Sequence, residues 1–282
     1  MQIWAQLNPT EQAKLLSRPA LVDSQALRDT VADIIEHVKQ QGDKALLDFT
    51  ERFDGVKLEN LRFNDDSLSS FASQIKPEVK WAIDQAYANI KKFHQAQYPE
   101  DVLVETSPGV VCELKHAPLA SVGLYIPGGT APLPSTVLML GATAQVAGCA
   151  RKVLCTPPNK DGQIAVEIRY AASLCDIDEI YLVGGAQAIA ALALGTESII
   201  KVDKIFGPGN SYVTEAKQQV SLIPAGPAID MPAGPSEVLV IADEQANPVF
   251  VAADLLSQAE HGTDSQAVLV SNSANLIAAV KQ

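Results

Sequence analysis

The chain has 282 residues, of which 47% are hydrophobic, 19% charged and 5% aromatic. This composition is typical of a globular protein with a large core, excludes a disordered or fibrous chain, and at this length predicts two domains. The formal net charge of −12 disfavours nucleic acid and membranes as partners, because the surface repels phosphate groups.

The cysteines and the N-terminus favour a cytoplasmic protein. Cys112, Cys149, Cys155 and Cys175 are widely spaced and mostly flanked by apolar residues, which predicts buried thiols rather than disulfides or a CxxC metal site. The N-terminus lacks a basic region followed by an apolar one, so we expect no signal peptide. Residues 117–150 are uncharged, but prolines and glycines divide them into a strand, a turn and a short helix that cannot cross a membrane.

The first hundred residues are predicted to be helical. Asn8-Pro9-Thr10-Glu11 is typical of a capped helix start, and the helix is expected to run to about Ser17. A second helix ends at Gly42, and a third covers residues 77–94. The second helix has an apolar stripe that consists of Leu27, Val31, Ile34, Ile35 and Val38. His37 and His94 lie beside the apolar stripes and are interpreted as surface or packing residues.

From residue 102 onward, short apolar runs alternate with turn signals. Residues 102–105 and 110–114 predict a hairpin. Strands are then expected at 122–126, 153–155, 180–183 and up to 206, with helices at 135–147, 164–175, 186–194 and 210–220. This alternation predicts right-handed βαβ units and a parallel sheet.

A second strand–helix–strand run follows at residues 238–241, 248–260 and 268–270, and a last helix covers 274–281. A sheet of two strands is small and needs further helices to cover it, so we expect the early helices to pack on this unit.

Three glycine turns, at residues 127–130, 184–187 and 207–210, lie where strands are followed by helices. In a parallel sheet they share the carboxyl edge, where helix N-termini attract anions, so they predict a dinucleotide crevice. None of the turns matches GxGxxG, and the second strand ends in Leu154-Cys-Thr-Pro-Pro158 without an acid for a ribose hydroxyl. Simple tight turns are therefore an equally good interpretation.

Two further segments carry polar side chains at element ends. Residues 230–237 form a loop rich in proline that either presents Ser236 to a substrate or makes a rigid crossover between domains. Gln258 and His261 are three residues apart at the end of a helix, so they project from one face. They either ligate a metal or form an ordinary polar helix end, because zinc needs at least three protein ligands.

Together these motifs resemble the histidinol dehydrogenase family. The similarity covers essentially the whole chain and is carried by VGLYIPGG at 122–129, VGGAQAIAALA at 183–193, VDKIFGPGN at 202–210, DMPAGPSEVL at 230–239 and DLLSQAEHG at 254–262.

The resemblance implies oxidation of L-histidinol to L-histidine through an aldehyde in two NAD-dependent steps. It implies that Tyr125, Gln187 and Asn210 contact NAD and that Ser236 contacts the substrate. It further implies that Gln258 and His261 bind both histidinol and a zinc ion.

The implied architecture is α/β, with two Rossmann-like parallel-sheet domains, one inserted into the other, and a helical N-terminal region. Residues 1–22 form the N-terminal helical arm, residues 23–121 with 236–282 form the first domain, incomplete at its C-terminal end, and residues 122–235 form the inserted NAD-binding domain.

Members of the family are longer than this chain and are expected to be homodimers. The resemblance places a Glu–His pair, a zinc-binding aspartate and a zinc-binding histidine from the neighbouring subunit beyond Gln282. We therefore expect no catalytic residue in this chain and impaired activity. The alternatives are a non-catalytic fragment that binds NAD or docks on a subunit, and an active enzyme completed by a separate chain.

Overall fold

The computed structural model describes residues 3–16, 25–63, 73–128, 131–232, 237–260 and 265–282. Ser236 and His261 lie outside these ranges. The helices are α1 Pro9–Leu16, α2 Gln25–Gln41, α3 Asp43–Asp54, α4 Pro77–Ala96, α5 Pro134–Ala147, α6 Val166–Leu174, α7 Gly185–Leu194, α8 Ser211–Ser221, α9 Pro248–Ala259 and α10 Ala274–Val280. The strands are β1 Val102–Ser107, β2 Val110–Leu114, β3 Ser121–Tyr125, β4 Arg151–Thr156, β5 Glu179–Leu182, β6 Lys204–Phe206, β7 Ala228–Ile229, β8 Glu237–Ala242 and β9 Gln266–Ser271.

The chain forms two compact units. One unit consists of Met1–Gln25 with Ala233–Gln282, and the other of Ala26–Pro232. This grouping differs from the expected one, because α2, α3 and α4 contribute to the cores on the two faces of the five-stranded sheet in the second unit. The assignment of residues 23–121 and 236–282 to one domain stays a prediction.

The second unit contains a parallel sheet in the order β5-β4-β3-β6-β7. Strand β3 comes first in the sequence and lies at the centre of the sheet. There Leu124 pairs with Leu154 of β4 and with Phe206 of β6. The strand order reverses between β3 and β6, and such a reversal opens a crevice at the carboxyl ends of the two strands. The predicted parallel α/β architecture is confirmed.

Helices cover both faces of this sheet. Because side chains alternate along a strand, Val153 and Cys155 of β4 pack with α2, α3, α7 and α8, whereas Leu154 packs with α4, α5 and α6. The predicted stripe of α2 is confirmed, since Val31, Ile34, Ile35 and Val38 are buried. Helix α7 is apolar on all sides, and Ala186–Ala193 is buried throughout.

Local signals fix several element ends. The predicted capping of α1 is confirmed: Glu11 N–H donates to Asn8 Oδ1 at 3.0 Å, and Asn8 N–H donates to Glu11 Oε2 at 2.9 Å. Gly42 ends α2 with a φ of +54°, but a further helix, α3, which the sequence did not predict, begins at Asp43. Within the described ranges, no helix combines the length and apolar character needed to span a membrane.

The first unit contains the parallel pair β8 and β9, joined by α9 and followed by α10. Asn247 caps α9 by accepting the N–H of Val249, and Ser273 caps α10 by accepting the N–H of Leu276. The predicted strand–helix–strand run is therefore confirmed.

The cysteine prediction is correct for three of the four residues. Cys149, Cys155 and Cys175 are buried, but Cys112 is exposed on the β1–β2 hairpin. The burial predicted for Cys112 from its apolar neighbours is wrong, because both strands of the β1–β2 hairpin are exposed.

Candidate functional site

A cleft of about 1190 Å³ lies in the second unit at the carboxyl edge of the five-stranded sheet. The turns after β3, β4, β5 and β6 form one side, and α2 and α3 form the other. The glycine turns predicted to share this edge are thus brought together at the point where the strand order reverses. Ligands bind parallel α/β proteins at this position.

Tyr125, Gln187 and Asn210 line this cleft. They come from the end of β3, the first turn of α7 and the residue preceding α8. The resemblance assigned all three to NAD, and the fold brings them to one cavity although 85 residues of sequence separate the first from the last. Their role as NAD contacts stays a prediction.

Tyr125 connects β3 to the start of α7. The Gly185 N–H donates to Tyr125 Oη at 3.0 Å, so the phenol oxygen satisfies one of the unpaired donors of the helix N-terminus. Tyr125 is only 4% exposed, and burial raises its pKa to about 12. The phenol is therefore uncharged at neutral pH, and it keeps its O–H as a donor.

Asn210 is the N-cap of α8. Its Oδ1 accepts the N–H of Val213 at 3.1 Å, which fixes the side chain at the mouth of the cleft and leaves the amide N–H donors on the opposite atom. The N-termini of α7 and α8 both border the cavity. Helix N-termini attract negative charge, so this edge suits an anionic group such as a pyrophosphate.

Gly207, directly after β6, packs closely against the backbone at the end of β3. Its φ is +131°, and a Cβ at this position would lie 2.1 Å from the carbonyl oxygen of Tyr125. The Gly207 N–H donates to Asp230 Oδ2 at 2.8 Å, and Lys217 Nζ donates to the Gly207 carbonyl at 2.9 Å. Lys217 also forms an ion pair with Asp230. These contacts fix the turn that carries Asn210, and sequence analysis missed Lys217 because a lysine on a helix is normally exposed.

Pro157, in the turn after β4, lies between two other turns of the cleft. A Cβ on Gly128 would lie 2.5 Å from Pro157 Cγ, and a Cβ on Gly184 would lie 2.7 Å from Pro157 Cβ. The turns after β3, β4 and β5 therefore pack against one another through this single ring.

Helix α3 and its neighbour α2 supply the opposite wall. The rings of Phe49 and Phe53 stack with centroids 5.4 Å apart, and His37 meets Phe49 edge-on at 6.1 Å. His37 is exposed, its Nδ1 contacts the carbonyl of Asp33, and it lines the cavity, so its interpretation as a surface or packing residue stays a prediction. Asp54, the last residue of α3, also lines the cavity, and sequence analysis did not single it out.

The candidate zinc and substrate residues belong to the first unit or to undescribed positions. Gln258 is buried near the end of α9, while its predicted partner His261 and the predicted substrate contact Ser236 lie outside the described residues. In the part of the chain that the structure describes, no three His, Cys, Asp or Glu side chains are grouped as a metal site would require. The zinc assignment stays a prediction.

The fold and the cleft define a Rossmann-like α/β protein with a cavity at the topological switch point, the position where such folds bind ligands. The family model of histidinol dehydrogenase matches residues 17–282. The chain belongs to the histidinol dehydrogenase family.

Individual relatives agree with this assignment. Histidinol dehydrogenase of Aliivibrio fischeri is 58% identical over 271 residues, which are 96% of this chain and 61% of the relative. The protein of the same name from Colwellia psychrerythraea is 59% identical and is covered to 64%. The crystal structure of histidinol dehydrogenase from Elizabethkingia anophelis matches with a TM-score of 0.85 at 48% identity, over 97% of this chain and 63% of that chain. The chain therefore spans about three fifths of the length of these relatives.

Proposed function

We propose that this chain provides the NAD cleft of a histidinol dehydrogenase, a cytoplasmic oxidoreductase that converts L-histidinol to L-histidine in two steps. The observation that supports this most directly is the meeting of Tyr125, Gln187 and Asn210 at the switch point of the sheet. When bound, NAD supplies the hydride acceptor for both steps.

The residues of the cleft fit a dinucleotide. The N-termini of α7 and α8 suit its pyrophosphate, and the amide groups of Gln187 and Asn210 offer donors and acceptors for its polar groups. The cavity volume of about 1190 Å³ lies slightly above the usual range of small-molecule pockets, as an extended ligand requires. Tyr125 would orient the ligand by donating its O–H, because its high pKa keeps it from acting as a base near neutral pH.

Zinc and histidinol are assigned to residues of the first unit. Gln258 and His261 would supply two zinc ligands and Ser236 a contact to histidinol, as in the family motif. Two protein ligands do not complete a zinc site, so we derive no step through the metal. The 282 residues contain neither the Glu–His pair nor the further zinc ligands that the resemblance implies, and we propose that this chain alone binds NAD without oxidising histidinol.

A homodimer is proposed for the longer protein, because the family resemblance implies a zinc-binding histidine from the neighbouring subunit. The second candidate is a non-catalytic fragment that binds NAD or docks on a full-length subunit, which the wholly exposed β1–β2 hairpin favours as a contact surface.

Isothermal titration calorimetry of the chain with NAD tests the proposal. Binding is expected, and Asn210→Ala should weaken it. Asn89→Ala removes an exposed amide of α4 that does not line the cleft. It serves as the control and should leave the affinity for NAD unchanged. An absence of NAD binding contradicts the proposal. Turnover of histidinol by the purified chain contradicts the part that concerns inactivity.

A further inference from the structure

Rossmann-like proteins that use NAD place an acidic residue near the end of the second strand, where it binds the hydroxyl pair of the adenosine ribose. Here the second strand of the sheet, β4, ends at Thr156 and is followed by Pro157 and Pro158. None of these side chains is acidic. If the cleft binds NAD, as proposed above, the ribose hydroxyls need another acceptor.

Asp54 places a carboxylate in the same cavity from a different element. It is the last residue of α3 and lines the cleft together with Tyr125, Gln187 and Asn210. Its Oδ2 is buried and has no hydrogen-bond partner among the residues that the structure describes. The χ2 torsion of aspartate is broad and roughly two-fold, so either oxygen can turn towards a ligand.

The segment that follows Asp54 runs along the part of the sheet where the usual acid would lie. A Cβ on Gly162, in the turn after β4, would lie 3.3 Å from Leu58 and 3.6 Å from Val56. Further on, Leu61 accepts the N–H of Leu182 in β5 at 2.7 Å. Asp54 thus leads directly into a segment that packs on the β4 turn and the edge of β5.

Among the described residues, no hydrogen bond to the buried Oδ2 explains why position 54 carries an acidic side chain. A carboxylate at a helix C-terminus is repelled by the helix dipole, and a buried oxygen without a partner costs stability. Burial raises the pKa of this carboxyl, as expected for a charge that lacks compensation. Side chains that cost stability in this way are typical of ligand sites.

We propose that Asp54 is the specificity-determining residue for the dinucleotide: its carboxylate accepts both hydroxyl hydrogens of the adenosine ribose and repels the 2′-phosphate of NADP. The proposal rests on the proposed NAD site. Asp54 of α3 thus takes the role of the acidic residue that the end of β4 lacks.

The test measures the dissociation constants of NAD, NADP, ADP-ribose and nicotinamide mononucleotide for the wild-type chain and for Asp54→Asn. The wild type should bind NAD more tightly than NADP. The Asp54→Asn variant should bind NAD and ADP-ribose about tenfold to a hundredfold more weakly, because hydrogen bonds to a charged acceptor are lost. Its affinity for NADP should be unchanged or higher, and its affinity for the mononucleotide unchanged. Asp48→Asn, the same charge change on the exposed side of α3, should leave all four constants within about twofold.

Thermal unfolding separates this role from a structural one. Asp54→Asn should keep or raise the Tm, since it removes an uncompensated charge, and a lower Tm would overturn the proposal. An unchanged ratio of NAD to NADP affinity in Asp54→Asn, or a loss confined to the mononucleotide, would also overturn it. In each of these three outcomes the wild type still binds NAD, so the proposed function stands. A wild type that binds no NAD contradicts the proposed function itself.

Discussion

Lys217, which is buried, forms an ion pair with the partly buried Asp230, and both side chains also bind the backbone of Gly207. Lys217 is 4% exposed, so its charge is almost fully removed from water. A buried cation is tolerated only when it is paired and hydrogen-bonded. The pair therefore links α8 and the segment after β7 to the turn that carries Asn210.

Replacing Lys217 with Met should leave the Asp230 carboxylate and the Gly207 carbonyl without their cation. Because the Asp230 side chain is 27% exposed, water compensates part of the loss, and we expect a decrease of about 2–3 kcal/mol in the free energy of unfolding. Urea denaturation measures it. Lys92→Met, at an exposed position of α4, should change it by less than about 0.5 kcal/mol. Equal effects of the two variants would show that the pair does not stabilise the turn.

Gly207→Ala should be more damaging than alanine at another glycine of positive φ. At Gly207 the new methyl group meets the carbonyl oxygen of Tyr125, whereas at Gly109, with φ of +81°, the added Cβ would meet no atom within 4 Å. We expect Gly109→Ala to cost about 1 kcal/mol from backbone strain alone and Gly207→Ala at least about 2 kcal/mol. Chemical denaturation of both variants tests the contact, and similar losses would contradict it.

Tyr125 should ionise well above the pH at which a tyrosine of an unfolded chain does. Its pKa of about 12 in the folded chain compares with about 10 in an unfolded one. The folded state therefore holds this proton more tightly, and the resulting stability is present below pH 10 and lost as the pH rises towards 12 and beyond. The difference in tyrosinate absorbance between wild type and Tyr125→Phe, followed against pH, should show one group that titrates near pH 12. A midpoint near pH 10 would mean that the ring is solvated.

The thiols should differ sharply in reactivity. Burial raises the pKa values of Cys149, Cys155 and Cys175, the last to about 12, so these three are shielded and protonated. Cys112 is exposed. Ellman's reagent should modify about one thiol per native chain quickly and the other three only after denaturation. Cys112→Ser should abolish the fast phase, and a fast phase that persists in this variant would contradict the described burial.

Sequence periodicity predicted the parts of the fold that are determined by local burial. The stripe of α2 and the alternation from β3 to α8 are examples, because each element carries its own apolar pattern. Helix α3 was missed, since its first N–H, at Asp43, is bound by Glu197 from a distant turn at 2.7 Å and not by a local cap. Strand β7 has only two residues and no pattern of its own.

The candidate site was predictable only where a motif marks it. Gln187 and Asn210 lie in recognisable glycine turns and Tyr125 lies just before one, and the parallel sheet explains why these turns meet. Asp54 and Lys217 have no such signal. Their significance depends on burial and on partners that tertiary folding brings near them.

The position of Pro157 between Gly128 and Gly184 has a consequence for how this cleft can change over evolutionary time. The ring occupies the space that a methyl group at either glycine would need. A larger residue at position 128 or 184 is therefore tolerated only together with a smaller one at position 157. The three positions are expected to vary as a set among natural homologues, even though they belong to three separate loops.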